Sequence, residues 1–275
     1  MKKLLLIFFC IPSLLSLTFA GNEPQSIGAR INAMGGAGLT LSDPYSVFNN
    51  QAAMAFVDGI SVALYTEQRF LLKELSYHAG GVILPTKLGA FGLSVNYYGF
   101  DLYNEKKIGL AYSRLFSNKI SGGIQIDYVG TSISEYGNAS TFTVELGLLV
   151  KITNQLTTAA HVFNPVRVNS GFTDEKIPTT LKLGLAYQPG KKVLIDAEVQ
   201  KNIDELARFS SGIEYQVVDA FHLRAGFQTN PSVYCFGVGI NVKQLKIDLA
   251  TTYHAVLGVS PQFSISYQFS KKSSS

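Results

Sequence analysis

The chain has 275 residues, 47% of them hydrophobic and only 15% charged, with 14 Tyr, 18 Phe, 25 Gly and no Trp; 23 basic and 19 acidic side chains leave a formal net charge of +4. A balance this close to neutral, with no dense Lys/Arg run apart from Lys271-Lys272, lacks the electrostatic footprint of a nucleic-acid binder and excludes nucleic acid as a partner. The charges are also too few to clothe a soluble protein of this size.

Residues 1–20 read as a secretory signal: Lys2 and Lys3, the apolar run Leu4 to Phe9, then Thr18-Phe19-Ala20 before Gly21. Pro12 and Ser13 interrupt the apolar stretch, which is too short for a spanning helix. Ile7-Phe8-Phe9 lacks the small residues that precede a lipidated cysteine, so Cys10 is not read as a lipid anchor. Once the signal is removed, Cys235 is the single cysteine, which allows neither an internal disulfide nor a thiolate zinc site.

Residues 21–56 have no strand rhythm and are rich in Gly, Ala and Asn. The cluster Gly35-Gly36-Ala37-Gly38 follows no hydrophobic strand and leads into no Gly-Lys-Ser/Thr, so it is read as a site of close backbone packing and not as a phosphate cradle. Gly28-Ala29-Arg30, Met34-Gly35-Gly36-Ala37, Asp43-Pro44 and Asn50-Gln51-Ala52 stand in order along the segment. This series resembles the amino-terminal region of the FadL-like outer-membrane barrels, most closely the PorV/PorQ branch, whose members open with Gly-Ala-Arg, Met-Gly-Gly-Ala, an acidic turn and Asn-Pro-Ala. Gln51 departs from the pattern where proline is usual. The resemblance covers about thirty residues. It implies a fourteen-stranded barrel with this segment folded into the lumen as a plug and, for the PorV/PorQ branch, an accessory role in type IX protein secretion.

From residue 57 to 270 the pattern turns to period two. Val193, Ile195, Ala197 and Val199 face one way, opposite Asp196, Glu198 and Gln200; Leu245, Ile247 and Leu249 oppose Lys246, Asp248 and Ala250. The same alternation runs through Ile120 to Tyr128, Phe142 to Val150, Leu181 to Tyr187, Phe209 to Val217, Phe221 to Phe227, Tyr234 to Val242 and Phe263 to Phe269. Segments of about ten residues suit tilted membrane strands, and their spacing predicts about fourteen of them. Short turns are expected at Thr86 to Gly89, Ser117 to Lys119, Thr153 to Gln155, Pro189 to Lys192, Val218 to Ala220 and Lys243-Gln244. Longer loops are expected at Gly99 to Lys106, Ser134 to Ser140, Asn164 to Lys176, Lys201 to Arg208 and His254 to Pro261. The fold class expected is therefore all-β: a transmembrane antiparallel barrel of about fourteen strands with an amino-terminal lumenal plug, ending in a polar tail at 271–275.

Asp127, Glu145, Lys182, Asp196, Glu198, Glu214, Arg224, Lys246 and Asp248 fall on the polar faces and are expected to line the lumen, pairing with one another or with the plug through Arg30. His78, His161, His222 and His254 lie in or beside strands, with no local sequence fixing any two together and no Gly-x-Ser-x-Gly elbow. No catalytic site, metal or cofactor is expected. Two functions follow. In the first, a secretion accessory docks cargo proteins or secretion-system subunits at its outer loops, with Arg167, Asn169, Phe172, Asp174 and Glu175 in the longest of them. In the alternative, the barrel passes hydrophobic small molecules such as fatty acids, gated by the plug. Either places the chain in the lipid of a Gram-negative outer membrane with both termini periplasmic.

Overall fold

The computed structural model describes residues 24–171 and 176–269. The expected signal at 1–20 and tail at 271–275 lie outside the described residues, as do Phe172, Asp174 and Glu175. Alternating apolar and polar residues produce the strands β1 (Ser61–Gln68), β2 (Ser76–Thr86), β3 (Gly89–Phe100), β4 (Tyr103–Ser117), β5 (Ile120–Ile133), β6 (Gly137–Lys151) and β7 (Leu156–Phe163). They continue as β8 (Thr180–Tyr187), β9 (Val193–Asn202), β10 (Arg208–Val218), β11 (Phe221–Gln228), β12 (Val233–Val242), β13 (Leu245–His254) and β14 (Gly258–Gln268). Each strand pairs antiparallel with its neighbours in sequence, and β1 pairs with β14 from Ser61↔Gln268 to Glu67↔Gln262, so the sheet closes. Closure leaves no row of unpaired N–H and C=O groups, the condition for a sheet to sit in hydrocarbon.

The two faces of the wall are sorted as lipid requires. In β8, Thr180, Lys182, Gly184 and Ala186 point inward and are buried, while Leu181, Leu183, Leu185 and Tyr187 point outward and are 44% to 55% exposed. Apolar side chains on the outside of every sector and polar ones within are the reverse of a soluble barrel. Tyr128, Phe209, Phe227, Tyr253, Tyr267 and Phe269 add aromatic rings to the outer face.

The two ends differ. At the end that holds Ser61 and Gln268, here the turn end, the connections are 87–88, 118–119, 152–155, 188–192, 219–220 and 243–244, all short as expected. At the opposite, loop end, three of the five expected long loops are not long: the connections are 101–102, 134–136 and 255–257. The strands run on through polar stretches such as Tyr103–Lys107, because above the lipid band a strand needs no apolar face to stay paired. The connection 203–207 is intermediate, and 164–179 is the longest. Residues 69–75 form two short 3-10 turns with Phe70 and Leu71 in the left-handed region.

Inside the wall lies the amino-terminal segment, with two short helices, α1 (Ala29–Ala33) and α2 (Ser46–Asn49), followed by a 3-10 turn over Gln51–Phe56. Ile31, Met34, Leu39, Val47 and Met54 are essentially solvent-free, so the hydrophobic core of this protein is its lumen. The glycines explain how closely the segment approaches the wall. Gly35, at φ +76°, rests on the Phe227 carbonyl, and Gly212 and Gly226 on the facing strands leave the space that the Met34 backbone occupies. A side chain at any of the three would push the segment off the wall.

Candidate functional site in the barrel lumen

The segment is fixed to the wall by two polar clusters on different sectors. On the first, α1 carries Arg30 toward β10. Arg30 Nε and Nη2 each donate to Glu214 at 2.8 Å, a bidentate fork, while Nη1 donates to Asp43 at 3.0 Å. Asp43 also accepts from the Tyr45 backbone N–H at 2.9 Å, the local turn that Asp43-Pro44 was placed to make. Register sets Glu214 opposite Arg224, whose Nε donates to Glu214 at 2.6 Å and whose Nη1 donates to Asp248 at 2.7 Å. Burial disfavours the charge on Arg30, yet Glu214 and Asp43 outweigh it and raise the guanidinium pKa further.

Between the clusters, the end of the glycine-rich stretch points its backbone at the wall. Gly38 N–H and Leu39 N–H both donate to Glu198 at 3.2 Å, and Thr40 Oγ1 donates to Asp196 at 2.5 Å. Lys182 Nζ lies 3.7 Å from Glu198. The sequence motif positions Gly28, Ala29, Gly36 and Ala37 serve the chain path: Ala29 N–H donates to Ser264, and the Gly36 carbonyl accepts from Ser26.

On the second cluster, Asn50 caps the 3-10 turn by accepting from Ala52 N–H at 3.1 Å and donates to the Leu39 carbonyl at 2.9 Å. Gln51, the departure from proline, then reaches the wall: its Nε2 donates to Glu145 at 2.8 Å and to Gln125 at 3.3 Å. Glu145 also accepts from Lys107 Nζ at 2.7 Å and contacts His161 Nε2 at 3.0 Å, and Gln125 donates to Asp127 at 2.7 Å. Sequence reasoning placed Glu145 and Asp127 on the lumen face but missed Lys107 and Gln51. Lys107 directly follows a stretch expected to be a loop, and a strand continuing Tyr103–Ser117 is the only signal that would have turned it inward.

Toward the loop end the lumen becomes aromatic. Tyr65 and Tyr77 meet with ring centroids 6.3 Å apart, Tyr77 and Tyr98 at 6.2 Å, and Arg69 lies over Tyr77 and Tyr98 at 5.8 and 5.3 Å. Asn32 of the segment donates to the Tyr65 hydroxyl at 2.7 Å, which joins this tier to the one below. The long loop folds over the same mouth: Ile177 is buried with Val129 and Phe163, and Asn164 donates to the Ile177 carbonyl at 2.7 Å. Arg167 pairs with Asp204 of the next loop at 2.9 Å, and Asn169 bridges to Lys176. At the turn end, between Arg30, Arg224, His222 and Lys246, a polar cavity of about 70 Å³ remains.

No protein-family model matches the chain, and no curated protein matches it in sequence. Solved structures match it in fold. The toluene transporter TodX of P. putida is 15% identical, with 90% of this chain and 100% of that one covered and a TM-score of 0.70. The CymD monoaromatic hydrocarbon channel is 12% identical, with 90% and 98% covered and a TM-score of 0.67. A FadL homologue of Pseudomonas aeruginosa is 14% identical, with 90% and 98% covered and a TM-score of 0.61. Identities this low carry architecture alone, and the architecture is the FadL-like fourteen-stranded barrel.

Proposed function

We propose that the chain is a passive channel for hydrophobic small molecules in a Gram-negative outer membrane, with the segment up to residue 56 acting as its plug and the turn end facing the periplasm. One observation carries this reading: a lipid-facing barrel has its lumen filled by a segment that is hydrogen-bonded to the wall without being part of the sheet. Above the plug the lumen holds a tier of aromatic rings, Tyr65 and Tyr77 buried and Tyr98 partly exposed beside them. That the similar solved structures are of a toluene transporter and a monoaromatic hydrocarbon channel supports a hydrophobic cargo here. The reading requires no catalytic centre.

The role as a secretion accessory, which the PorV/PorQ resemblance implies, draws no support from those structures. The loop expected to dock cargo spends Arg167 on Asp204 and buries Asn164. The two readings part in one experiment. Expressed in a Gram-negative host that lacks its own channel of this type, the chain should confer saturable uptake of a labelled monoaromatic hydrocarbon or long-chain fatty acid. Uptake no greater than in the empty host, together with co-purification of secreted proteins, would restore the secretion reading.

A further inference from the structure

The polar cavity lies within two residues of the turns 219–220 and 243–244, on the turn-end side of the Arg30 cluster. Its lining carries three cations, Arg30, Arg224 and Lys246, and three carboxylates, Asp43, Glu214 and Asp248. Five of the six carboxylate oxygens already accept a hydrogen bond: both of Glu214, both of Asp43, and Oδ1 of Asp248. The donors are not used up in the same way. Lys246 has no acceptor among the described residues, and Arg224 donates through Nε and Nη1 alone. His222 is 91% buried, and its Nδ1 has no partner. Buried polar atoms are normally satisfied, by protein groups or by ordered water, and a surplus of cationic donors around one space is also the arrangement that receives an anion.

We propose that this cavity binds a small oxyanion, inorganic phosphate or a short carboxylate, between Lys246, His222 and Arg224. About 70 Å³ has room for a few non-hydrogen atoms and none for an acyl chain or a peptide. Lys246 supplies the unpaired charge, Arg224 directs its remaining guanidinium N–H groups to fixed positions around it, and His222 Nδ1 adds a donor in the tautomer that carries its proton there. Because Arg30 and Arg224 share Glu214, an anion seated here is a second acceptor beside the guanidiniums that hold the plug, so anion occupancy and plug anchoring are linked. The site does not depend on hydrophobic transport through the barrel.

The test uses the full mature chain in non-ionic, lipid-free micelles at low ionic strength, titrated with inorganic phosphate and with acetate by calorimetry. Saturable one-to-one binding is expected, weakened about tenfold in Lys246→Gln, as loss of one charged hydrogen bond predicts, and unchanged in Lys192→Gln on a neighbouring turn. Glu214→Gln, which leaves two guanidiniums short of an acceptor, should bind phosphate more tightly. A Lys246→Gln barrel that keeps its folded, heat-modifiable mobility and binds phosphate like the parent overturns the proposal. So does a phosphate response no different from that of chloride. Binding seen only when phosphatidylglycerol vesicles are added would assign the cavity to a lipid headgroup and reject the free anion.

Discussion

The two clusters that hold the amino-terminal segment do the same work with opposite chemistry. On the β10–β13 sector the segment brings the charge: Arg30 enters a network in which Glu214 serves two guanidiniums at once. On the β4–β7 sector the charges belong to the wall, where Glu145 sits between Lys107 and His161, and the segment adds neutral groups, the amide of Gln51 and the Ala52 carbonyl that accepts from Ser121. Separating the first takes the bidentate acceptor Glu214 from Arg30 and leaves it with Asp43 alone, whereas separating the second takes one neutral donor from Glu145, which keeps Lys107 and His161. The difference predicts an order of release, with the Gln51 side opening first and the Arg30 side acting as the hinge.

Breaking the charged side should have the largest effect. Glu214→Gln takes the shared carboxylate from Arg30 and Arg224 and leaves them Asp43 and Asp248, and a destabilisation of up to about 3–5 kcal/mol is expected for breaking a buried ion pair by removing one partner, measured as a loss of denaturant resistance in micelles. Gln51→Ala removes a hydrogen bond to a carboxylate that keeps two other partners, so about 1.5–3 kcal/mol is expected at most. Hydrogen exchange should show faster opening around residues 50–54 in this variant, with protection retained around Arg30. The double variant checks whether the two sides are separate units. The clusters share no side chain, so the two losses should add to within about 0.5 kcal/mol, and a larger coupling would mean that the segment leaves the wall as one rigid body. The smallest effect belongs to the loop end: Arg167→Ala removes a half-exposed ion pair and should change stability by no more than about 1 kcal/mol.

How much of this was legible in the sequence follows from what each feature depends on. The strands were, because lipid on one side and a crowded lumen on the other force a period of two through stretches such as Leu181 to Tyr187. The turn-end connections were legible for the same reason, since the pattern stops abruptly at each. Strand ends at the loop side were not: the strands run on through residues 103–106 and 137–140, where no face has to be apolar, and the polar residues there read as loop. The lumenal charges could be placed on a face one strand at a time. Which of them meet could not, because Glu214 reaching both Arg224 and Arg30 depends on strand register and on a contact 184 residues away in sequence. Gln51 was visible as a departure from the pattern that the segment resembles, and only the structure shows it spending its amide on Glu145.

The central claim is that the segment must leave the wall for cargo to pass, and a removable crosslink tests it most directly. A Cβ on Gly184 would lie 3.1 Å from the Leu39 Cβ, close to the roughly 3.5–4.5 Å that a disulfide spans. In a Cys235→Ser background, Leu39→Cys combined with Gly184→Cys should therefore lock the segment to β8. Uptake of a labelled hydrophobic tracer through the oxidised barrel should fall to that of the empty host and return on addition of dithiothreitol. Equal uptake by the oxidised and reduced forms, with the crosslink verified by mass spectrometry, would contradict the account.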